Sequence, residues 1–280
     1  MIREPCVSGI FYPSKKSILK ENIEKTLNNI NTEDPITGQI TAGVAPHAGY
    51  VYSGKTACYT YNQIRKNRIP ETFIIIGPNH TGYGNSSIAL TTASKWNTPL
   101  GDITVDTELN NELQQRNPNI KYDDRAHLKE HGTEVELPFI QYITEQEDKN
   151  AMIVPIVISN QTLELSQQLA RTIYESAEKL GRDIIIIAST DLTHYENSEN
   201  ARTKDEKVMK SIENMDEQEL YNNVTNYQIT MCGYGPTITA ITYSKLANAK
   251  NARILDYSNS GDAFGDYDSV VGYTSAIITK

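Results

Sequence analysis

The sequence has little cysteine, little tryptophan and no long apolar run. Its three cysteines, Cys6, Cys58 and Cys232, are odd in number and far apart, and no CxxC pair occurs. That argues for free thiols and against a disulfide scaffold. The longest aliphatic runs, FIII at 73–76 and IIIIA at 184–188, are strand-sized and far short of the ~20 residues a membrane helix needs. Basic runs are absent too. With 26 Lys and Arg against 35 Asp and Glu, the formal net charge is -9. Such a chain repels phosphate backbones, so neither nucleic acid nor membrane is an expected partner. The opening MIREPCVSGIFYPSKK holds no apolar segment of signal-peptide length, so a cytoplasmic location is expected. No repeat, linker or composition break divides the sequence, and one domain over residues 1–280 is expected.

What is present alternates short apolar runs with longer helical patterns. TAGVA (41–45), FIIIG (73–77), MIVPIVI (152–158) and DIIIIAS (183–189) read as strands covered on both faces. A helix is expected from about Gly54 to Lys66. Asp106 suits the cap of a helix running to Arg116. Leu165, Leu169, Ile173 and Ala177 recur every four residues between Thr162 and Leu180, and Gly181 suits the C-terminal cap. A helix entrance is read at HGTEVELPFIQYITEQ, a hairpin-like region at SSIALTT and NTPLGDITVD, and two polar helices over roughly 200–225. A last helix starts near Cys232, and two closing strands follow. The order predicts a layered α/β fold with a largely parallel or mixed central sheet flanked by helices.

Three of the expected strands end alike. TAGVA runs into Pro46-His47, FIIIG into Pro78-Asn79-His80, and DIIIIAST into Asp191-Leu192-Thr193-His194. Open α/β sheets bind ligands outside the carboxyl ends of their strands. Three of the five histidines therefore map to one rim, where imidazoles suit Fe, Zn, Cu or Ni. Each histidine alone is more readily a group hydrogen-bonded to backbone than a metal ligand. TMCGYGP (230–236) places Cys232 just ahead of the last helix, where the helix N-terminus favours a thiolate. The alternative reading is a small buried hydrophobe. Cys6 and Cys58 read as structural, Cys58 within a helix. His127 and His131 stand four apart in AHLKEHGTE without the zinc-protease arrangement. His127 reads as a surface residue, and His131 as the better site candidate. Tyrosine is abundant, 17 against four Phe and one Trp. Tyr50, Tyr52, Tyr83, Tyr195 and Tyr234 flank the motifs, as an aromatic pocket or as ordinary half-buried residues.

Taken together, APHAGYVYSG, IIIGPNHTG, STDLTHYE and MCGYGPT resemble the Memo family, also known as component B of the AmmeMemoRadiSam system. GIFYPS, NTPLGDITVD, EHGTEVELPF and DSVVGYTSAI fit as well, so the resemblance covers essentially the whole chain. It implies the fold of the class III extradiol dioxygenase catalytic subunits, distant relatives that hold Fe(II) with two histidines and one glutamate. It also implies His47 and His80 as metal ligands, with Cys232 where the glutamate would be. His194 is then the catalytic histidine, Asp191 lines the pocket, and His131 lies near it. Fe(II) is the first expected metal, with Cu or Zn as alternatives.

Replacing carboxylate by thiolate makes the ligand softer and oxidisable, so ring cleavage is not inherited with the fold. The expected activity is metal-dependent redox or oxygenase-like chemistry on a small substrate, with His194 as acid–base and Asp191 orienting it. Alternatives are a zinc hydrolase, a Cys232 nucleophile with His194 or His131 as base, and a peptide- or protein-binding module. No arginine stands in the four pocket motifs, which weakens a phosphate clamp. The resemblance implies radical-SAM system partners, and a homodimer by analogy.

Overall fold

The computed structural model describes residues 1–30 and 36–280. The first half contains β1 (Ile2–Arg3), α1 (Lys16–Asn29), β2 (Ile40–Ala45), α2 (Tyr50–Asn67), β3 (Thr72–Pro78) and β4 (Ile88–Leu90). Then come β5 (Lys95–Thr98), β6 (Gly101–Thr104), α3 (Thr107–Arg116), β7 (Ile120–Tyr122), α4 (Asp124–His127) and α5 (Leu137–Gln146). The second half contains β8 (Met152–Ile158), α6 (Leu163–Leu180), β9 (Ile184–Ser189), β10 (His194–Glu196), α7 (Ser198–Glu213) and α8 (Glu217–Asn226). It closes with α9 (Tyr234–Leu246), β11 (Asn251–Asn259), α10 (Gly261–Phe264) and β12 (Val270–Thr279).

The fold is the expected α/β type with a large mixed sheet. Its order is β10-β12-β2-β9-β3-β8-β4-β7, with β11 on β12. β2, β9, β3 and β8 run parallel at the centre, while β12 and β4 are antiparallel to their inner neighbours. Side chains alternate across a strand, so the aliphatic runs feed two cores. Ile74, Ile76 and Ile186 pack on one face with α6, α8 and α9, and Phe73, Ile75 and Ile187 pack on the other with α1, α2 and α5.

Several local expectations hold. Asp106 caps α3 by accepting the Leu109 N–H, and Gly181 ends α6 with φ 62°. Cys58 is buried in α2. The hairpin expectation needs correction. β4 joins the large sheet beside β8 and β7, and the hairpin is β5–β6, in a separate three-stranded sheet with β1. Ile88, Ala89 and Leu90 are fully buried, so a place inside the main sheet removes more apolar surface from water than an exposed hairpin could. No helix of the described residues is long and apolar enough to cross a membrane.

Candidate metal centre

β2, β9 and β3 are adjacent, and their carboxyl ends are level. Ala45 pairs with Ser189, and Ile76 with Ala188. The loops leaving these strands therefore emerge together, carrying His47, His80, Asp191 and His194. Two further segments reach the same rim, the 130–136 loop before α5 and the turn leading into α9.

His47, His80 and His131 converge. One ring nitrogen from each lies within 4.8 Å of the others. His80 and His131 stack at 4.5 Å between centroids, His47 stands edge-on to both, and Phe11 covers His131 at 4.7 Å. Cys232 approaches His47 from another direction, with Sγ 3.3 Å from Nε2. Ligands about 2.0–2.3 Å from one tetrahedral ion lie roughly 3.5 Å apart, so the His47–Cys232 spacing suits a shared cation. Among the described residues, however, the group that converges is His47, His80 and His131, with Cys232 outside it, and not the expected His47, His80 and Cys232.

Two of the three imidazoles are aimed by a hydrogen-bonding partner. His47 Nδ1 meets Ser189 Oγ at 2.8 Å, and its backbone N–H donates to Asp191 Oδ1 at 2.9 Å. His80 Nδ1 meets Glu130 Oε1 at 2.7 Å. In both, Nδ1 is the nitrogen so held, and Nε2, which on His47 meets the Cys232 thiol, is the one available for a ligand role. Burial, reinforced by neighbouring histidines, holds His47 well below the ordinary imidazole value and His131 at about 4. Both are therefore neutral near pH 7, which is the ligating form. Burial pushes Glu130 up, but His80 and the Gly132 N–H outweigh it and hold the carboxyl below its ordinary value. The donor set of neutral imidazoles and a thiol, backed by an ionised carboxylate, fits a transition metal.

The turn into α9 is clamped. Gln161 donates from Nε2 to the Cys232 carbonyl at 2.8 Å and accepts the Gly235 N–H at 2.8 Å. Gly233 donates its N–H to Thr190 Oγ1 at 2.9 Å. A Cβ at Gly233 would lie 2.5 Å from the Ser189 carbonyl oxygen, so close approach requires glycine here. Cys232 Sγ accepts the Asp191 N–H at 3.2 Å. The expected thiolate needs correction for the metal-free site. Burial first, then the Asp191 carboxyl, pushes the thiol well up. These effects act against the helix N-terminus, and a bound cation would favour deprotonation.

Asp191 is buried, and its carboxyl is pushed up to about 6 by that burial, against the His47 N–H and neighbouring histidines. His194 Nδ1 lies 2.7 Å from the Leu192 carbonyl and 2.9 Å from the Thr230 carbonyl. Carbonyls only accept, so Nδ1 carries a hydrogen. Buried Asp205 steadies this loop by accepting the Thr193 N–H and the Tyr257 O–H. Tyr195 is 79% exposed with φ 60°, next to His194.

The sequence did not single out Glu130 and Glu136, both fully buried. The only signal at Glu136 is its place between Val135 and Leu137, which pack in the core. His127 is corrected from surface to buried. Its Nε2 faces the Ala89 carbonyl at 3.1 Å, and Trp96 covers its ring. The tyrosines divide. Tyr52, Tyr83 and Tyr195 are exposed, whereas the Tyr50 O–H donates to the Val135 carbonyl and its ring stacks on Phe139.

The profile described as Memo-like protein matches residues 3–277. A MEMO1 family protein of Pyrococcus abyssi (strain GE5 / Orsay) is 40% identical over 294 residues, covering 100% of both chains. MEMO1 family proteins of Methanobrevibacter smithii and Methanocaldococcus jannaschii are each 41% identical, covering 99% of both chains. Among solved structures, an uncharacterized protein of Escherichia coli K12 aligns with TM-score 0.56 at 12% identity, over 85% of this chain and 100% of that one. At that identity the likeness concerns the fold.

Proposed function

From the premise that this chain belongs to the Memo family, we propose that it is a metal-dependent redox protein, with oxygenase-like chemistry on a small substrate. The ion is Fe(II), held by His47 and His80 with Cys232, and His131 is the next donor in reach. One observation carries the reading. His47 converges with the imidazoles of His80 and His131, and its Nε2 meets the Cys232 thiol at 3.3 Å. When bound, such an ion supplies open coordination positions for an oxidant and a substrate. His194 takes up or returns a proton at Nε2. Asp191 holds the His47 backbone and shares the Cys232 turn, so it fixes the distance between imidazole and thiol. The raised thiol argues against a free Cys232 nucleophile.

A second reading is zinc-dependent hydrolysis, favoured by the three-histidine cluster, a donor set that zinc also takes. Pull-down and sedimentation experiments test a protein-binding role beside radical-SAM partners and assembly as a homodimer. Metal analysis of protein purified without oxygen tests the main reading. Stoichiometric iron that is lost in His47→Ala is the expected result. Zinc alone would favour hydrolysis, and a folded protein free of metal would overturn both.

A further inference from the structure

A serine hydroxyl carries one hydrogen and two accepting lone pairs. Ser189 Oγ has three close polar neighbours: the Gly132 carbonyl oxygen at 2.5 Å, Glu136 Oε1 at 2.8 Å and His47 Nδ1 at 2.8 Å. A carbonyl can only accept, and its contact is the shortest, so the Ser189 hydrogen points to Gly132. The other two neighbours must then donate into Ser189. For His47 this places the hydrogen on Nδ1. For Glu136 it requires the O–H form of the carboxyl. Its other oxygen, Oε2, accepts the Tyr61 O–H at 2.7 Å, as the carbonyl oxygen of an undissociated acid does.

The surroundings agree with this proton count. Glu136 is fully buried. The groups acting on it are Tyr61 from α2, Ser189 from β9 and the Asp191 carboxyl, and none is a cation. A buried carboxylate without a compensating charge is costly, whereas a buried carboxylic acid with both oxygens hydrogen-bonded is not. Burial, with the Asp191 carboxyl, outweighs the lowering effect of the Tyr61 and Ser189 hydrogen bonds and pushes the group up to about 8.

We propose that Glu136 is a positioning residue, a neutral carboxylic acid that acts through Ser189 to fix the Nδ1–H tautomer of His47 and aim its Nε2 at the cluster. His47 and His80 are thereby held by opposite means. An ionised carboxylate backs His80, and a hydroxyl fed by a neutral acid backs His47. The purpose of the free Nε2 rests on the metal reading above; the tautomer does not.

The test separates the two. Infrared spectra of metal-free protein at pH 7 should show the C=O stretch of a protonated carboxylic acid that Glu136→Gln removes. Ring-¹⁵N-labelled histidine in the same metal-free protein should report His47 with its hydrogen on Nδ1. Glu136→Gln offers an N–H donor to Ser189 and a carbonyl to Tyr61, so tautomer and metal affinity should survive. Ser189→Ala and Glu136→Met should mix the tautomers and weaken iron binding about 10- to 100-fold, the usual effect of losing such support. Lack of the carboxylic acid band, or an unchanged His47 tautomer in folded Ser189→Ala or Glu136→Met, overturns the proposal. If Glu136→Met does not fold, the band and Ser189→Ala decide. Failure of the wild type to bind iron counts against the metal reading alone.

Discussion

Glu130 holds His80 twice: Oε2 accepts its backbone N–H at 2.7 Å, and Oε1 meets ring Nδ1 at 2.7 Å. The same Oε1 accepts the Gly132 N–H at 2.9 Å. One buried carboxylate thus fixes the position and rotation of the His80 ring and ties it to the loop carrying His131. Glu130→Gln keeps one accepting oxygen but turns an amide N–H₂ toward a donor. Iron affinity is expected to fall about 10- to 100-fold, with the fold retained. Competition with a coloured chelator measures it, and an unchanged affinity would show that His80 needs no such support.

The roles of Cys232 and His131 separate spectroscopically. Cobalt(II) reports thiolate ligation by an intense charge-transfer band. Cobalt-loaded wild type should show it. Cys232→Ser should lose the band, and His131→Ala should keep it with weaker binding. A wild-type spectrum without the band would leave the three imidazoles as the donor set.

Gly233 tests how tightly the thiol is placed. In Gly233→Ala the new methyl would meet the Ser189 carbonyl oxygen and Thr190 Cβ, each at 2.5 Å. Both belong to or directly follow β9, which is fixed in the sheet, so the α9 turn must move instead. A loss of about 1–3 kcal/mol of stability is expected. The cobalt charge-transfer band should weaken with it, because Cys232 precedes the displaced residue. Thermal melts and the cobalt spectrum together check this, and a wild-type band in a destabilised protein would dissociate the turn from the ligand.

What the sequence made legible follows from physical constraint. The strand ends could be read because FIIIG and IIIIA must be covered on both faces, and a buried parallel strand can only deliver polar groups beyond its carboxyl end. Cys232 could be read because glycines and proline around a thiol mark a tight helix entrance. Glu130 and Glu136 could not. Glutamate is ordinarily solvated, and only the folded contacts with His80, Ser189 and Tyr61 show why these two are buried. His127 failed for a similar reason. It follows three charged residues in DDRAH, and its burial under Trp96 depends on a segment 31 positions earlier. The thiolate expectation weighed a helix terminus, which sequence reveals, but not the desolvation around it, which acts the other way.

His127 gives the metal-free protein an acid sensitivity that can be isolated. Burial first, then the Arg3 charge, lowers its imidazole from 6.5 to about 4. Between those pH values the unfolded chain binds a proton that the folded chain refuses, so stability rises with pH across this window. Its contribution is full above about 6.5 and is lost as pH falls toward 4. The shift corresponds to roughly 3 kcal/mol. His47 and His131 act in the same direction, and Asp191 and Glu136, whose carboxyls burial raises, act in the opposite one, so His127 must be read by difference. In His127→Gln the amide can still donate to the Ala89 carbonyl but does not titrate. Thermal melts of metal-free wild type and variant should therefore converge as pH falls from 6.5 to 4, the variant losing less stability. Parallel curves would place the proton uptake elsewhere.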